Sequence, residues 1–104
     1  MDFIKKLGVQ SYCFREILPL PDLIKAVKAI GVDRLELCGV HIDFQNLASH
    51  APTIRTLQEG GLTIVSSGVN GISADEAKSR PLFAFSKAAG AKHMSVSFDI
   101  NELP

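Results

Sequence analysis

One arrangement of apolar and polar positions recurs along the chain: an amphipathic stretch, a glycine, one or two residues, then a short run of aliphatic and β-branched side chains. It is spelled by Ala29-Ile30-Gly31-Val32-Asp33-Arg34-Leu35-Glu36-Leu37, by Leu57-Gln58-Glu59-Gly60-Gly61-Leu62-Thr63-Ile64-Val65, and by Ala88-Ala89-Gly90-Ala91-Lys92-His93-Met94-Ser95-Val96. A glycine just beyond an amphipathic stretch supplies the positive φ on which a helix ends, so each repeat reads as helix, cap and strand. The apolar runs predict strands over residues 7–14, 34–38, 62–67 and 93–98. The first helix is predicted over residues 21–30, with Leu23, Ile24, Val27 and Ile30 on one stripe, Pro21 in its first turn and Gly31 past its end. A second runs from residue 49 or 50 to 59, with Pro52 in its first turn and Ile54 and Leu57 inward. The third opens on the capping-box spelling Ser73-Ala74-Asp75-Glu76, and Pro81 is expected to split it into a short lead-in and a main helix over residues 81–89.

Strands alternating with helices through short loops specify an α/β fold with a parallel sheet and right-handed crossovers. Strand phase distinguishes the two common forms. With Leu7, Val9, Leu35, Leu37, Met94, Val96 and Phe98 toward the helices, Gln10, Tyr12, Glu36, His93, Ser95 and Ser97 point the other way. A doubly wound sheet meets helices on both faces and reads as nearly continuous apolar runs, which these strands do not. The expected architecture is therefore four βα units, half of a (βα)8 barrel, with residues 1–104 forming a single partial domain. Such an open sheet exposes two raw edges and one uncovered face. Beyond Asp99, Ile100-Asn101-Glu102-Leu103-Pro104 reads as a βα loop leading into a fourth helix. The expectation is that the natural polypeptide continues into a C-terminal half or that a second copy of the chain completes the ring.

Charge narrows the partners. Eleven Lys and Arg balance eleven Asp and Glu, interspersed and without a basic stripe, which argues against nucleic acid and anionic lipid as main partners. No apolar run approaches a membrane span, and the opening Met1-Asp2-Phe3-Ile4-Lys5-Lys6 is too polar for a secretory signal, so a cytoplasmic location is expected. Cys13 and Cys38 lack any Cys-x-x-Cys pairing and read as reduced, mostly buried thiols.

In a βα barrel the reactive groups collect at the C-terminal strand ends. Tyr12 follows the first strand. Glu36 stands in an otherwise apolar strand, where a carboxylate is costly unless it is paired or faces a wet cavity. It reads either as a pocket residue or as half of a structural salt bridge with Arg15 or a nearby lysine. His41 and Asp43 share a loop at a spacing suited to proton transfer or metal contact, with Asp43 equally a loop or cap residue. His50 and His93 read as structural. The stretch Ser66-Ser67-Gly68-Val69-Asn70-Gly71 offers small residues and amides, with Ser67 and Asn70 as candidate contacts to sugar hydroxyls or a phosphate. Dinucleotide, P-loop, nucleophile-elbow and zincin spellings are absent. Phe83 and Phe85 read as helix core.

Together the opening 7-LGVQSYCFR-15, the segment 30-IGVDRLELCG-39, the strand 61-GLTIVS-66 and the approach 88-AAGAK-92 resemble the xylose-isomerase-like TIM barrel superfamily, which holds sugar phosphate isomerases and epimerases and, more distantly, endonuclease IV. The likeness spans nearly the whole chain and corresponds to the first half of such a barrel. It implies a divalent-metal enzyme (Mn, Mg, Zn or Co) that moves a proton between adjacent carbons of a sugar or sugar phosphate through an enediolate. In that family the metal ligands and main acid/base carboxylates come mostly from later strands. Only Glu36 and His41 have counterparts lining the substrate pocket, and no residue carries over as a metal ligand. The implied role of this chain is to supply pocket walls through Tyr12, Glu36 and His41. Zero net charge and the lack of histidines at several strand ends argue against the endonuclease branch.

Overall fold

A computed structural model of the chain describes residues 6–102. Four strands, β1 (Gly8–Gln10), β2 (Arg34–Leu37), β3 (Thr63–Gly71) and β4 (His93–Ser97), alternate with three helices, α1 (Leu20–Ala29), α2 (His50–Glu59) and α3 (Glu76–Ala89). All neighbours in the sheet are parallel and the order is β1-β2-β3-β4. Each strand thus lies beside the next in sequence, and α1, α2 and α3 pack side by side in the same succession. The fold class is α/β, as the alternation of elements predicts.

The three helix-ending glycines adopt the backbone their positions demand: Gly31, Gly61 and Gly90 have φ of 86°, 87° and 73°. The remaining helix ends follow local chemistry. Pro21 lies in the first turn of α1, and the Asp75 side chain accepts the Ala77 amide at the start of α3. Pro81 does not split α3, which runs unbroken for 14 residues. In the second turn a proline removes a single donor, the one that would reach the Ala77 carbonyl, and Leu82, Phe85 and Ala89 anchor the helix on the sheet.

The core fills the space between helices and sheet. Leu23 and Val27 of α1, Ile54 and Leu57 of α2 and Phe85 of α3 close over Leu35, Leu37 and Ile64. Phe44 and His50 both meet the Phe85 ring edge to face, at 5.0 and 5.2 Å between centroids. The structural reading of His50 holds: its Nε2 lies 2.7 Å from the Phe44 carbonyl.

Several expectations are corrected. The first strand ends at Gln10, and residues 11–14 turn into a 3-10 helix because the Gln10 side chain accepts the Tyr12 amide and the Ser11 hydroxyl is drawn into the sheet against Cys38. The third strand does not end at Ser67 but continues through Gly71, so the whole run of small residues is strand. Phe83 and Ile30 face solvent, 53% and 57% exposed, while Phe85 is buried. Cys13 is exposed, and Cys38 alone of the two thiols is buried. After β4 a 3-10 turn covers Ile100–Glu102; Leu103 and Pro104, the end of the anticipated lead-in to a fourth helix, lie outside the described residues. No helix among the described residues is long and apolar enough to cross a membrane.

Candidate functional site

The face of the sheet turned away from the helices is polar, and one carboxylate organises it. Register places Gln10 of β1 beside Glu36 of β2, and Glu36 beside Ser66 of β3. Gln10 donates from Nε2 to Glu36 Oε1 at 2.5 Å; Ser66 and Ser95 donate their hydroxyls to Glu36 Oε2 at 2.5 and 2.8 Å. A single side chain on the second strand therefore binds all three of the others. A half-buried carboxylate is tolerable there because three donors replace the water it has lost.

Gln10 is the second member of the network. Its Nε2 also donates to the Gly68 carbonyl at 2.9 Å, and its Oε1 accepts the Tyr12 amide at 3.1 Å. Both ends of the amide are thus assigned by their partners. Gly68 is required at its place: φ is 135°, and a β-carbon would sit 2.4 Å from the Ser95 carbonyl oxygen. The absence of a side chain lets β3 and β4 come close enough for Ser95 to reach Glu36.

At the C-terminal ends of β1, β2 and β3 a cavity of about 440 Å³ opens, lined by Gln10, Tyr12, Cys38, Gly39, Val40 and Val69. Gln10 belongs both to this cavity and to the carboxylate network. Tyr12 stands at the rim, 53% exposed, with the Arg15 guanidinium 5.0 Å from its ring centroid. The floor is fixed from behind, where Ser11 Oγ accepts the Cys38 amide at 2.9 Å.

Of the five residues singled out from the sequence, Tyr12 and Glu36 come together through Gln10. His41 does not join them: it is buried in the loop after β2, with Nε2 2.8 Å from the Ile17 carbonyl and Nδ1 enclosed without a partner among the described residues. Ser67 and Asn70 lie in the helix-facing layer. Ser67 is fully buried with its hydroxyl 2.8 Å from that of Ser86 on α3, and Asn70 donates to Ser67 at 3.2 Å. The reason is strand phase, since alternation sends Ser66 to one face and Ser67 to the other. The salt-bridge reading of Glu36 is also corrected: its partners are an amide and two hydroxyls, and the ion pair found among the described residues is the exposed Arg80–Glu76. Asp43 takes its loop role, accepting the Gln45 amide at 3.0 Å. The residues that sequence reasoning left out are Gln10, Ser66, Gly68 and Ser95. A signal for two of them was present, because Gln10 and Ser95 share with Glu36 the polar phase of their strands.

Among the described residues no three His, Cys, Asp or Glu side chains converge to hold a metal ion. Glu36 is joined to the cavity through Gln10, and its oxygens already face three donors, so these residues do not fit a metal centre. What they present is a connected set of hydrogen-bonding groups beside a small, partly apolar hollow, to whose lining Gln10 and Tyr12 contribute polar side chains.

No family model matches the sequence, and no curated protein matches it. Among solved structures, that of an uncharacterized protein from Parabacteroides distasonis ATCC 8503, determined at 2.32 Å resolution, superposes with a TM-score of 0.76 at 16% identity. The superposition covers 94% of this chain and 45% of that one, so the chain spans less than half the length of its structural neighbour. At that identity the likeness shows the fold alone.

Proposed function

We propose that this chain is the first half of a (βα)8 barrel of the sugar phosphate isomerase and epimerase kind, and that its strand ends form walls of a pocket for a small sugar or sugar phosphate in the cytoplasm. The observation that carries the reading is the Glu36 network, which fixes Gln10 at the floor of a cavity on the strands' C-terminal ends, where barrel enzymes bind their substrates. The resemblance of the opening strand and of the Glu36 segment to that superfamily points the same way. In this reading Gln10 and Tyr12 contact the ligand and Glu36 is a positioning residue that holds Gln10. The chemistry is proton transfer between adjacent carbons, and the divalent metal such a reaction uses would be held outside the described residues of this chain.

A second reading, two copies closing the ring, is favoured by one observation: β1 and β4 each have a sheet neighbour on one side alone among the described residues. It differs from the first in what supplies the other half.

Titration of the full chain with aldoses, ketoses and their phosphates, followed by calorimetry, tests the pocket. The expected result is saturable binding of at least one sugar, weakened about tenfold or more in Gln10→Ala. Binding that Gln10→Ala leaves unchanged would remove the cavity from consideration. With Mn²⁺ added, the chain alone is expected to turn over none of these sugars; turnover lost in Glu36→Gln would overturn the assignment of Glu36 as a positioning residue.

A further inference from the structure

At the opposite end of the sheet, four side chains capable of positive charge surround a second cavity, of about 480 Å³. They are Lys6 before β1, Arg34 at the start of β2, and Lys92 and His93 at the start of β4, with Thr63 between them. Arg34 and His93 are the first residues of β2 and β4, which flank β3, and Lys92 immediately precedes β4, so the topology itself gathers them. Arg34 precedes Glu36 by two residues and shares its face; His93 is in register with Ser66 and lies on that face as well. Gly8 opposite Arg34 keeps the approach open, since a β-carbon there would sit 3.2 Å from the Arg34 β-carbon.

Two properties separate this cluster from an ordinary solvated surface. Among the described residues no carboxylate lines the cavity, although the whole chain has as many acidic as basic residues. And none of the four side chains makes a hydrogen bond or ion pair among the described residues, Arg34 included, which is half-buried with five N–H donors in a planar fork. Gathering like charges around one hollow is unfavourable unless an anion neutralises them. A guanidinium fork flanked by two ammonium groups suits the oxygens of a phosphate, which accepts bidentate and point-charge contacts together.

We propose that this cavity is an anion site for a phosphate group, either inorganic phosphate or the phosphate of a small monoester, distinct from the cavity at the C-terminal strand ends. It is independent of the sugar-binding reading, because it lies at the other end of the sheet and shares no residue with that cavity.

The test follows amide signals of the full chain during titration with inorganic phosphate and, separately, with phenyl phosphate, at constant pH and constant ionic strength set with KCl. Saturable shifts at Thr63, Val65, Lys92 and His93 are expected, weakened about tenfold in Arg34→Met and in Lys92→Gln and unchanged in Arg55→Gln on α2. Lys92 is exposed, so its variant keeps the test valid should Arg34→Met fail to fold. Tighter binding of phenyl phosphate than of phosphate identifies a monoester site; the reverse order identifies free phosphate. A linear response equal to that of chloride, or equal weakening in Arg55→Gln, overturns the proposal. So does saturable binding of a hexaglutamate peptide with none of phosphate, which would assign the cluster to an acidic protein segment.

Discussion

The two faces of the sheet are built on opposite principles. On the helix side, Leu35, Leu37 and Ile64 are covered by Leu23, Val27, Leu57 and Phe85, and cohesion comes from area removed from water. On the other side, Gln10, Glu36, Ser66 and Ser95 are joined by directed hydrogen bonds that converge on one carboxylate. The first face is insensitive to small changes of angle and sensitive to lost volume. The second responds to the identity of single atoms, because each donor there has one acceptor assigned to it. A sheet with one face of each kind gains its stability from the packed side and its specificity from the wet side.

Substitutions can break this contrast or sharpen it. The largest effect is expected at the centre of the packed face. Phe85→Ala should lower unfolding stability by about 4 kcal/mol in chemical denaturation, since it removes a fully buried ring and the edge contacts of Phe44 and His50. A loss below about 1 kcal/mol would show that the helix layer is not the main source of stability.

Gly68→Ala tests the polar face through its backbone. The new methyl group would meet the Ser95 carbonyl at 2.4 Å with φ at 135°, and a loss of about 3 kcal/mol is expected, with β4 amides exchanging faster than those of β2. Uniform exchange across the sheet would contradict this localisation. Glu36→Gln should cost about 2 kcal/mol: Gln10 keeps the new carbonyl oxygen toward its own Nε2, so the new NH2 faces Ser66 and Ser95, whose hydroxyls must turn to accept, and the charged acceptor of three bonds is lost. A variant as stable as the parent would mean that the network directs the site without holding the fold. The smallest change is expected for Phe83→Ala, within about 0.5 kcal/mol, on the same helix as Phe85 but facing solvent.

Most of the fold was legible because its signals are local. A glycine after an amphipathic stretch forces a helix end wherever it occurs, and Gly31, Gly61 and Gly90 all carry the positive φ that the pattern requires. What was not legible depended on partners distant in sequence. Residues 11–14 look like strand until Ser11 is seen to bond to Cys38 across the sheet. Pro81 looks like a break until the packing of Leu82 and Phe85 outweighs one missing donor. Within the site, Glu36 stood out as a charge in an apolar run, whereas the significance of Gln10, Ser66 and Ser95 lies in their convergence on it. Ser67 and Asn70 were misplaced because the strand predicted to end at Ser67 continues through Gly71 and both side chains lie in the helix layer, one step along a strand reversing the face.

The order β1-β2-β3-β4 bears on how the protein is made as well as on what it presents. Gly8 meets Arg34, Arg34 meets Thr63 and Ser66 meets His93, so every pairing closes a segment of about 30 residues and the entropic cost is nearly the same each time. Among these four strands none must wait for one synthesised much later. A chain leaving the ribosome can lay each strand against its predecessor as that strand emerges, so assembly can run from the N-terminus in step with translation.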